Sequence, residues 1–455
     1  MYIIILFGIM VFVTAISYKC MEKRWLSPTF ISSAMVSAFS GLYIIVYDVI
    51  GKDISLECMG VVVLSIAGVF LGECVGEVAN IRRKSFKYIS GQKKISDLYV
   101  NVPLSKTILV FGIMLINAYV RIRELYRITG EKRLSDVLKM IRPMITGGIY
   151  SGSPNFLSSV IYHFSRGVCF IYIFLFLYSL VINKKRKYSF LLPVLGFALN
   201  LLSTTNRSSF LEVAIFFFFS YFAILMIKEK DNNLKEKVNI FKLSIITGVT
   251  IIAFVTYGIV AREGKINVDF INYIKRYIAG YSCGSLVGLN LYLENRWIDN
   301  SFWGMYTFKP IYLFLGLKNV VDFPSAFHPF FTCKELTTNI YTSLLTLIQD
   351  FGVLGMFVAK FVLSFCTVKV RNALLNINIM EKRFLFYLCA LTLFMHCFIY
   401  YLIADLSPSL ILDPNHAIKL LFGIITGIFF VRYSFLDYEG NRYSVLSKYV
   451  FKLRK

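Results

Sequence analysis

Charge is what this sequence has least of. Only 16% of its 455 residues are charged and 57% are hydrophobic, with a mean hydropathy of +0.66. A soluble domain typically carries about 25% charged residues, so a soluble fold is excluded and the chain is read as living mostly in lipid. Histidine is scarce, with four residues in all. The two in predicted outer connections, His328 and His416, stand at no defined spacing from carboxylates, so no metal site is implied. The nine cysteines include no CxxC pair and fall mostly inside apolar segments. They read as small core residues, with no disulfide or metal framework implied. No internal repeat at a fixed period is visible, which counts mildly against a secondary transporter. Met1–Tyr18 lacks the basic start and small-residue cleavage site of a signal peptide and is read as a retained first helix.

What is abundant is bulk and positive charge. Phe (43) and Tyr (29) suit lipid-facing surfaces and interfacial belts. A net charge of +23 would suit nucleic acid, but the cations sit in short clusters between apolar segments. That is the pattern of the positive-inside rule and of contact with anionic lipid, so membrane lipid is the expected partner and nucleic acid is not.

The chain is expected to be an all-α polytopic membrane protein, a single multi-pass domain with about 11 (10–12) transmembrane helices. The candidate spans are Tyr2–Tyr18, Phe30–Ile50, Met59–Ala79, Leu104–Val120, Phe156–Ile182, Ser189–Leu202, Phe210–Ile227, Phe241–Val260, Tyr341–Val368, Phe384–Ile403 and Ile418–Val431. Ser189–Leu202 is short. Basic clusters follow the first, third, fifth, seventh, ninth and last spans, among them Arg82–Lys84, Lys184–Lys187, and Lys369 with Arg371. Every second connection is therefore cytoplasmic, which puts the N-terminus outside and the C-terminus inside. Two outer connections are long: 121–155, which is basic, and 261–340, which precedes the last three spans and holds Trp297 and Trp303. Long connections in compact proteins are usually functional or disordered, and this second one is expected to be folded. Within it, Phe270–Tyr281 places Tyr273, Tyr277 and Tyr281 on one face, as in a helix lying at a membrane surface.

The outer arginines are the first candidates for chemistry. A lipid pyrophosphate is a compact anion with many oxygens, and arginine holds such a group through a fixed fork of donors. Arg207 lies in the polar turn Ser203–Ser209, Arg262 follows the eighth span, and Arg276 lies further on. Each could instead snorkel to lipid headgroups, and the Ser/Thr/Asn turn around Arg207 could be an ordinary helix cap. His328 is a candidate general base or pyrophosphate ligand. His163 and Arg166 are three residues apart on the fifth span. Asp350 lies about ten residues into the ninth span; an ionised carboxylate there costs roughly 2.5–3.5 kcal/mol on insertion scales, so it should face the interior and have a partner. Glu212 is a similar case. Glu73 and Glu77 share a face near the cytoplasmic end of the third span, where Arg82 and Arg83 can neutralise them.

The stretch Thr338-Asn-Ile-Tyr-Thr342 running into Asp350-Phe-Gly-Val-Leu-Gly355 resembles the signature of Wzy-type O-antigen polymerases, the oligosaccharide repeat-unit polymerases. Gly304-Met-Tyr-Thr-Phe-Lys-Pro310 and Ser203-Thr-Thr-Asn-Arg-Ser-Ser209 are similar to further pieces of that family, so the resemblance covers roughly residues 200–360. It implies a metal-independent, inverting glycosyl transfer with no cofactor, on the outer face of a bacterial plasma membrane. The partners implied are an undecaprenyl-pyrophosphate-linked oligosaccharide donor and acceptor, with a chain-length regulator and a flippase as further candidates. On the resemblance, Arg207 and Arg262 would bind the donor pyrophosphate, with Arg276 assisting, and His328 would activate the acceptor. Asn339 and Tyr341 would shape the cavity mouth, and Asp350 joins them as a substrate-binding candidate. The family usually has more spans than eleven. An O-antigen ligase and a lipid-linked oligosaccharide flippase or other transporter are the competing readings.

Overall fold

The computed structural model describes residues 1–21, 25–81, 98–146, 155–203, 208–232, 275–276, 278–295, 303–317, 331–334, 336–338, 341–402, 411–436 and 442–444. Its helices are α1 (Tyr2–Cys20), α2 (Pro28–Ile45), α3 (Tyr47–Ile50), α4 (Leu56–Ile81), α5 (Leu104–Thr129), α6 (Leu134–Thr146), α7 (Phe156–Val181), α8 (Leu191–Leu202), α9 (Ser208–Asn232), α10 (Gly284–Asn295), α11 (Lys309–Phe314), α12 (Ser343–Asn376), α13 (Lys382–Ile399) and α14 (Pro414–Val431). Two small antiparallel sheets accompany them. One has strand order β1 (Tyr99–Asn101), β4 (Ser434–Leu436), β5 (Arg442–Ser444); the other pairs β2 (Phe331–Cys333) with β3 (Leu336–Thr338).

Among the described residues, eight helices are long and apolar enough to cross a membrane: α1, α2, α4, α7, α9, α12, α13 and α14. The chain is a membrane protein. These eight coincide with eight of the eleven expected spans. Of the other three, Leu104–Val120 lies within α5, Ser189–Leu202 forms the 12-residue α8 with a short turn before it, and Phe241–Val260 lies outside the described residues. The expected outer connection 121–155 is largely helical, because α5 runs on to Thr129 and α6 follows after Gly130, whose φ of 69° stops the helix. α6 buries Val137 and Ile141 against Leu125 of α5.

The chain divides into two compact units. Unit 1 comprises Met1–Tyr88, Asp269–Leu374 and Ala390–Ala417. Here α1 and α2 are joined by hydroxyls, with Thr14 Oγ1 donating to Ser33 Oγ at 3.0 Å. Ser27 caps α2 by accepting from Phe30 N, and Pro28 sits where a missing N–H costs nothing. Gly68, Gly72 and Gly76 recur every four residues along α4, so they form one stripe. A Cβ on Gly68 would come within 2.8 Å of the Phe357 carbonyl oxygen, and one on Gly72 would overlap that of Phe361. The stripe therefore lets α4 and α12 touch backbone to backbone, and Ser364 Oγ donates to Val69 O across the same seam at 2.7 Å. Within the long 261–340 connection, α10 is buried along nearly its whole length, and its Asn290 Oδ1 accepts from Ser55 N at 2.7 Å. The mixed charges of that connection give no hint of a core helix.

Unit 2 comprises Ile89–Val268, Leu375–Cys389 and Ile418–Lys455. Its centre is α7, of which 89% of the apolar stretch is buried. Gly167 of α7 faces Gly423 of α14 so closely that a Cβ on either would overlap backbone of the other helix. Phe170 of α7 stacks on Phe216 of α9 with ring centroids 4.2 Å apart.

Candidate functional site

In unit 2, a polar cluster lies where α8 ends and α7 and α9 begin, against the second half of α5. Its base is a pair of buried asparagines: Asn117 Nδ2 donates to Asn200 Oδ1 at 2.8 Å, and Asn117 Oδ1 accepts from Ser158 Oγ at 2.9 Å. One turn further, Arg121 is 4% exposed, donates Nε–H to Ser203 Oγ at 2.9 Å, and lies 4.9 Å over the Tyr162 ring. The Tyr162 hydroxyl is hydrogen-bonded to Ser209. On the next turn of α7, Arg166 forms a buried ion pair with Glu212 of α9. The two ends of the turn that carries Arg207, Ser203 and Ser209, are thus both held by this cluster. Among the described residues, two guanidiniums and one carboxylate stand within it, and arginine forks are the groups that hold oxyanions at fixed geometry.

In unit 1, α12 is not one straight helix. Gly352 has φ 69° and ψ −177°, a conformation close to glycine-only. Lys360 Nζ nevertheless donates to Ser343 Oγ at 2.8 Å, although the two residues are seventeen apart in sequence. A straight helix would separate them by about 25 Å, so Ser343–Phe351 folds back along the second half of α12. Ser343 Oγ in turn donates to Tyr401 O at 2.7 Å, and Lys360 Nζ lies 4.6 Å over the Tyr401 ring. Lys360 and Ser343 are both almost fully buried.

Asp350 sits at the tip of this hairpin, beside Gly352. Its carboxylate accepts from the backbone N–H of Tyr306 (3.2 Å) and of Thr307 (2.7 Å). Phe351 packs edge-on against Trp303 (5.2 Å) and Phe308 (5.9 Å). The segment Gly304–Pro310 and the segment Asp350–Gly355, separate pieces of the resemblance, are therefore joined. Close by, burial holds the Lys309 ammonium below the usual lysine range.

Further along α12, Arg371 is fully buried, donates to Glu73 Oε1 at 2.9 Å and to Leu26 O at 3.0 Å, and pairs with Glu77. Glu73 also accepts from Ser27 Oγ at 2.7 Å and Thr29 N at 3.0 Å. This corrects the expectation that Glu73 is interfacial; Arg82 and Arg83, expected to neutralise the Glu73–Glu77 pair, lie outside the described residues. Glu73 is a core residue, and its cation comes from a helix 298 positions away in sequence, beyond the reach of a neighbour-by-neighbour reading.

Of the sequence-predicted site residues, Arg207, Arg262, His328 and Asn339 lie outside the described residues. Arg276 is exposed. Tyr341 is buried, its ring 5.5 Å from that of Phe331 and against Gly288, where a Cβ would meet Tyr341 Cδ1 at 2.7 Å. Asp350 has the expected partners, the backbone amides of Tyr306 and Thr307 among them. No protein-family model matches the chain, and no curated protein or solved structure does either. Sequence reasoning passed over Lys360, although a lone cation inside the apolar run Gly355–Val368 is a signal of a special site. It counted Arg121 and Arg371 as connection residues, because a cation at the end of an apolar run looks the same whether it is buried or not.

Proposed function

We propose that this membrane protein is a glycosyltransferase that polymerises undecaprenyl-pyrophosphate-linked oligosaccharide repeat units on the outer face of a bacterial plasma membrane. The observation that carries the reading is the cluster under the Ser203–Ser209 turn. A turn that merely caps a helix needs no buried guanidinium at its foot, whereas here Arg121 binds one end, and Tyr162, lying beneath the Arg121 guanidinium, binds the other. In this reading Arg207, carried between those two held ends, binds the donor pyrophosphate instead of snorkelling. In the reaction, the growing glycan leaves its lipid pyrophosphate and its anomeric carbon joins a hydroxyl of the acceptor sugar. Negative charge builds on the departing pyrophosphate, and arginines fixed beforehand would stabilise it. Arg207 and Arg262 are assigned to that anion, Arg276 to its support, and His328 to the acceptor hydroxyl. Asn339, Tyr341 and Asp350 are assigned to substrate binding in this reading, with Asp350 acting through the backbone it holds.

A flippase is the second reading, and the fold-back of α12 favours it, since broken helices with buried charge recur in transporters. The two readings separate with purified protein in vesicles loaded with lipid-linked repeat units. A polymerase converts them to longer chains; a flippase changes only which leaflet they occupy. In cells, Arg207→Lys or Arg262→Lys at matched protein level should leave mostly single-repeat products, because loss of one aimed donor costs about 10²–10³ in rate. Wild-type chain length from both variants would refute the assignment.

A further inference from the structure

One stretch of the long 261–340 connection is as apolar as a spanning helix. From Trp303 to Leu317 the sequence Trp-Gly-Met-Tyr-Thr-Phe-Lys-Pro-Ile-Tyr-Leu-Phe-Leu-Gly-Leu holds a single charged residue, Lys309. Several of its large side chains stand outside any core: Trp303 is 69% exposed, Leu313 40%, Phe314 50% and Leu315 64%. An exposed apolar patch of this kind marks a contact with protein or membrane. With six residues, α11 is too short to cross a bilayer, so a count of long apolar runs passes over it.

The segment is built in advance of any partner. Trp303, Phe308 and Phe351 form a cluster of rings, with centroids 5.5 Å apart for Trp303 and Phe308, 5.2 Å for Trp303 and Phe351, and 5.9 Å for Phe308 and Phe351. Gly304 has φ 67°, and a Cβ there would meet Phe308 Cδ2 at 2.5 Å, so the close approach of the rings needs glycine. The Tyr312 hydroxyl donates to Trp303 O at 3.0 Å and ties α11 back to the start of the segment. The Asp350 carboxylate accepts from the N–H groups of Tyr306 and Thr307 between them. The exposed side chains are thus carried on a fixed frame.

That frame adjoins the lipid-facing edge of α12. Phe351, on which Trp303 packs, is the last residue before Gly352. Beyond it Leu354, Val358 and Val362 follow at four-residue spacing and are 75%, 50% and 48% exposed. Such spacing is one helix face. The part of α12 after Gly352 runs 24 residues, 353 to 376, which is long enough to cross a bilayer, and the exposed apolar face of a crossing helix is turned to lipid. The 303–317 segment continues that face past the end of the crossing part, at the depth where tryptophan and tyrosine collect in membrane proteins. A second copy of the chain is not needed to cover it, because apolar faces gain no hydrophobic energy from one another once they are in lipid. We propose that 303–317 is an interfacial wedge: Trp303 and Leu313–Leu315 enter the bilayer at the boundary of headgroups and acyl chains, with bilayer lipid as their partner, and Asp350 moors the wedge to α12. The wedge pins the long connection to the membrane surface, and it does so whether the protein polymerises or flips its substrate.

The test uses the full chain, purified and reconstituted into phosphatidylcholine vesicles. Trp303 emission is read as the difference between the parent and Trp303→Phe, which keeps a ring against Phe308 and Phe351. Phosphatidylcholine brominated in the acyl chains close to the headgroup should quench most of that emission, whereas iodide present on both faces of the membrane should quench little of it. If Trp303→Phe fails to accumulate, Leu315→Trp places a reporter at an exposed position, and the emission it adds should respond in the same order. Strong quenching by iodide with little effect of the brominated lipid would put the segment in water and overturn the proposal. Resistance to both quenchers would mean that protein, such as a second copy of the chain, covers the patch, and would overturn it equally.

Discussion

Two buried cations on one helix are held by different kinds of contact. Arg371, near the end of α12, meets two carboxylates, a carbonyl and the glycine-striped face of α4. Lys360, about three turns earlier, meets a hydroxyl and an aromatic ring beside the positive end of a half-helix. The first is a satisfied ionic core, in which the arginine fork spreads its hydrogen bonds over fixed acceptors. The second is a point charge set against a hydroxyl and an aromatic face. Burial alone does not say what a charge does; the chemistry and geometry of what surrounds it decide how much it holds.

The largest effect should follow from breaking the anchor. Arg371→Met leaves Glu73 charged and buried, and removing one partner of a buried ion pair costs about 3–5 kcal/mol. Little folded protein should survive detergent extraction, and adding Glu73→Gln should recover much of the loss in the same thermal melt. Were the single variant as stable as the parent, the comparison would lose its first half.

Asp350→Ala should rank next. It strips two backbone N–H groups of a charged acceptor, each such hydrogen bond being worth about 1.5–3 kcal/mol. The 303–317 segment should then be cut faster by protease while the helices stay folded, and Asp350→Asn should fall in between. Full resistance to cutting in the alanine variant would show that the aromatic packing of Trp303 and Phe308 on Phe351 suffices.

Gly352→Ala should cost about 1–3 kcal/mol, from backbone strain and not from crowding, since φ 69° with ψ −177° is nearly closed to other residues. Gly72→Ala at the anchored seam fails by crowding instead, so shortening Phe361 cannot relieve it: the obstacle is that residue's carbonyl. The smallest change is expected at Lys360→Met, about 1.5 kcal/mol, the low end for a hydrogen bond to a charged group, because Ser343 keeps its bond to the Tyr401 carbonyl. A loss as large as that of Arg371→Met would make the two cations alike and remove the contrast.

Hydropathy and length alone determined the class of this protein and eight of its long helices, since a run of apolar residues long enough to cross a bilayer is a property of the run itself. The need of Asp350 for interior partners was legible for the same reason: a carboxylate in an apolar helix is costly wherever the helix goes. What that carboxylate binds was not. The amides of Tyr306 and Thr307 carry no side-chain signature, and only the fold-back at Gly352 brings the hairpin tip to them. Likewise, an apolar count over residues 341–368 reads as one span, because hydropathy is blind to a change of chain direction. The cation for Glu73, the foot of the Ser203–Ser209 turn and the contact of Lys360 with Ser343 all join residues far apart along the chain. Local sequence sets which segments enter the membrane; which charges meet inside it depends on helix packing, and only the tertiary structure decided that.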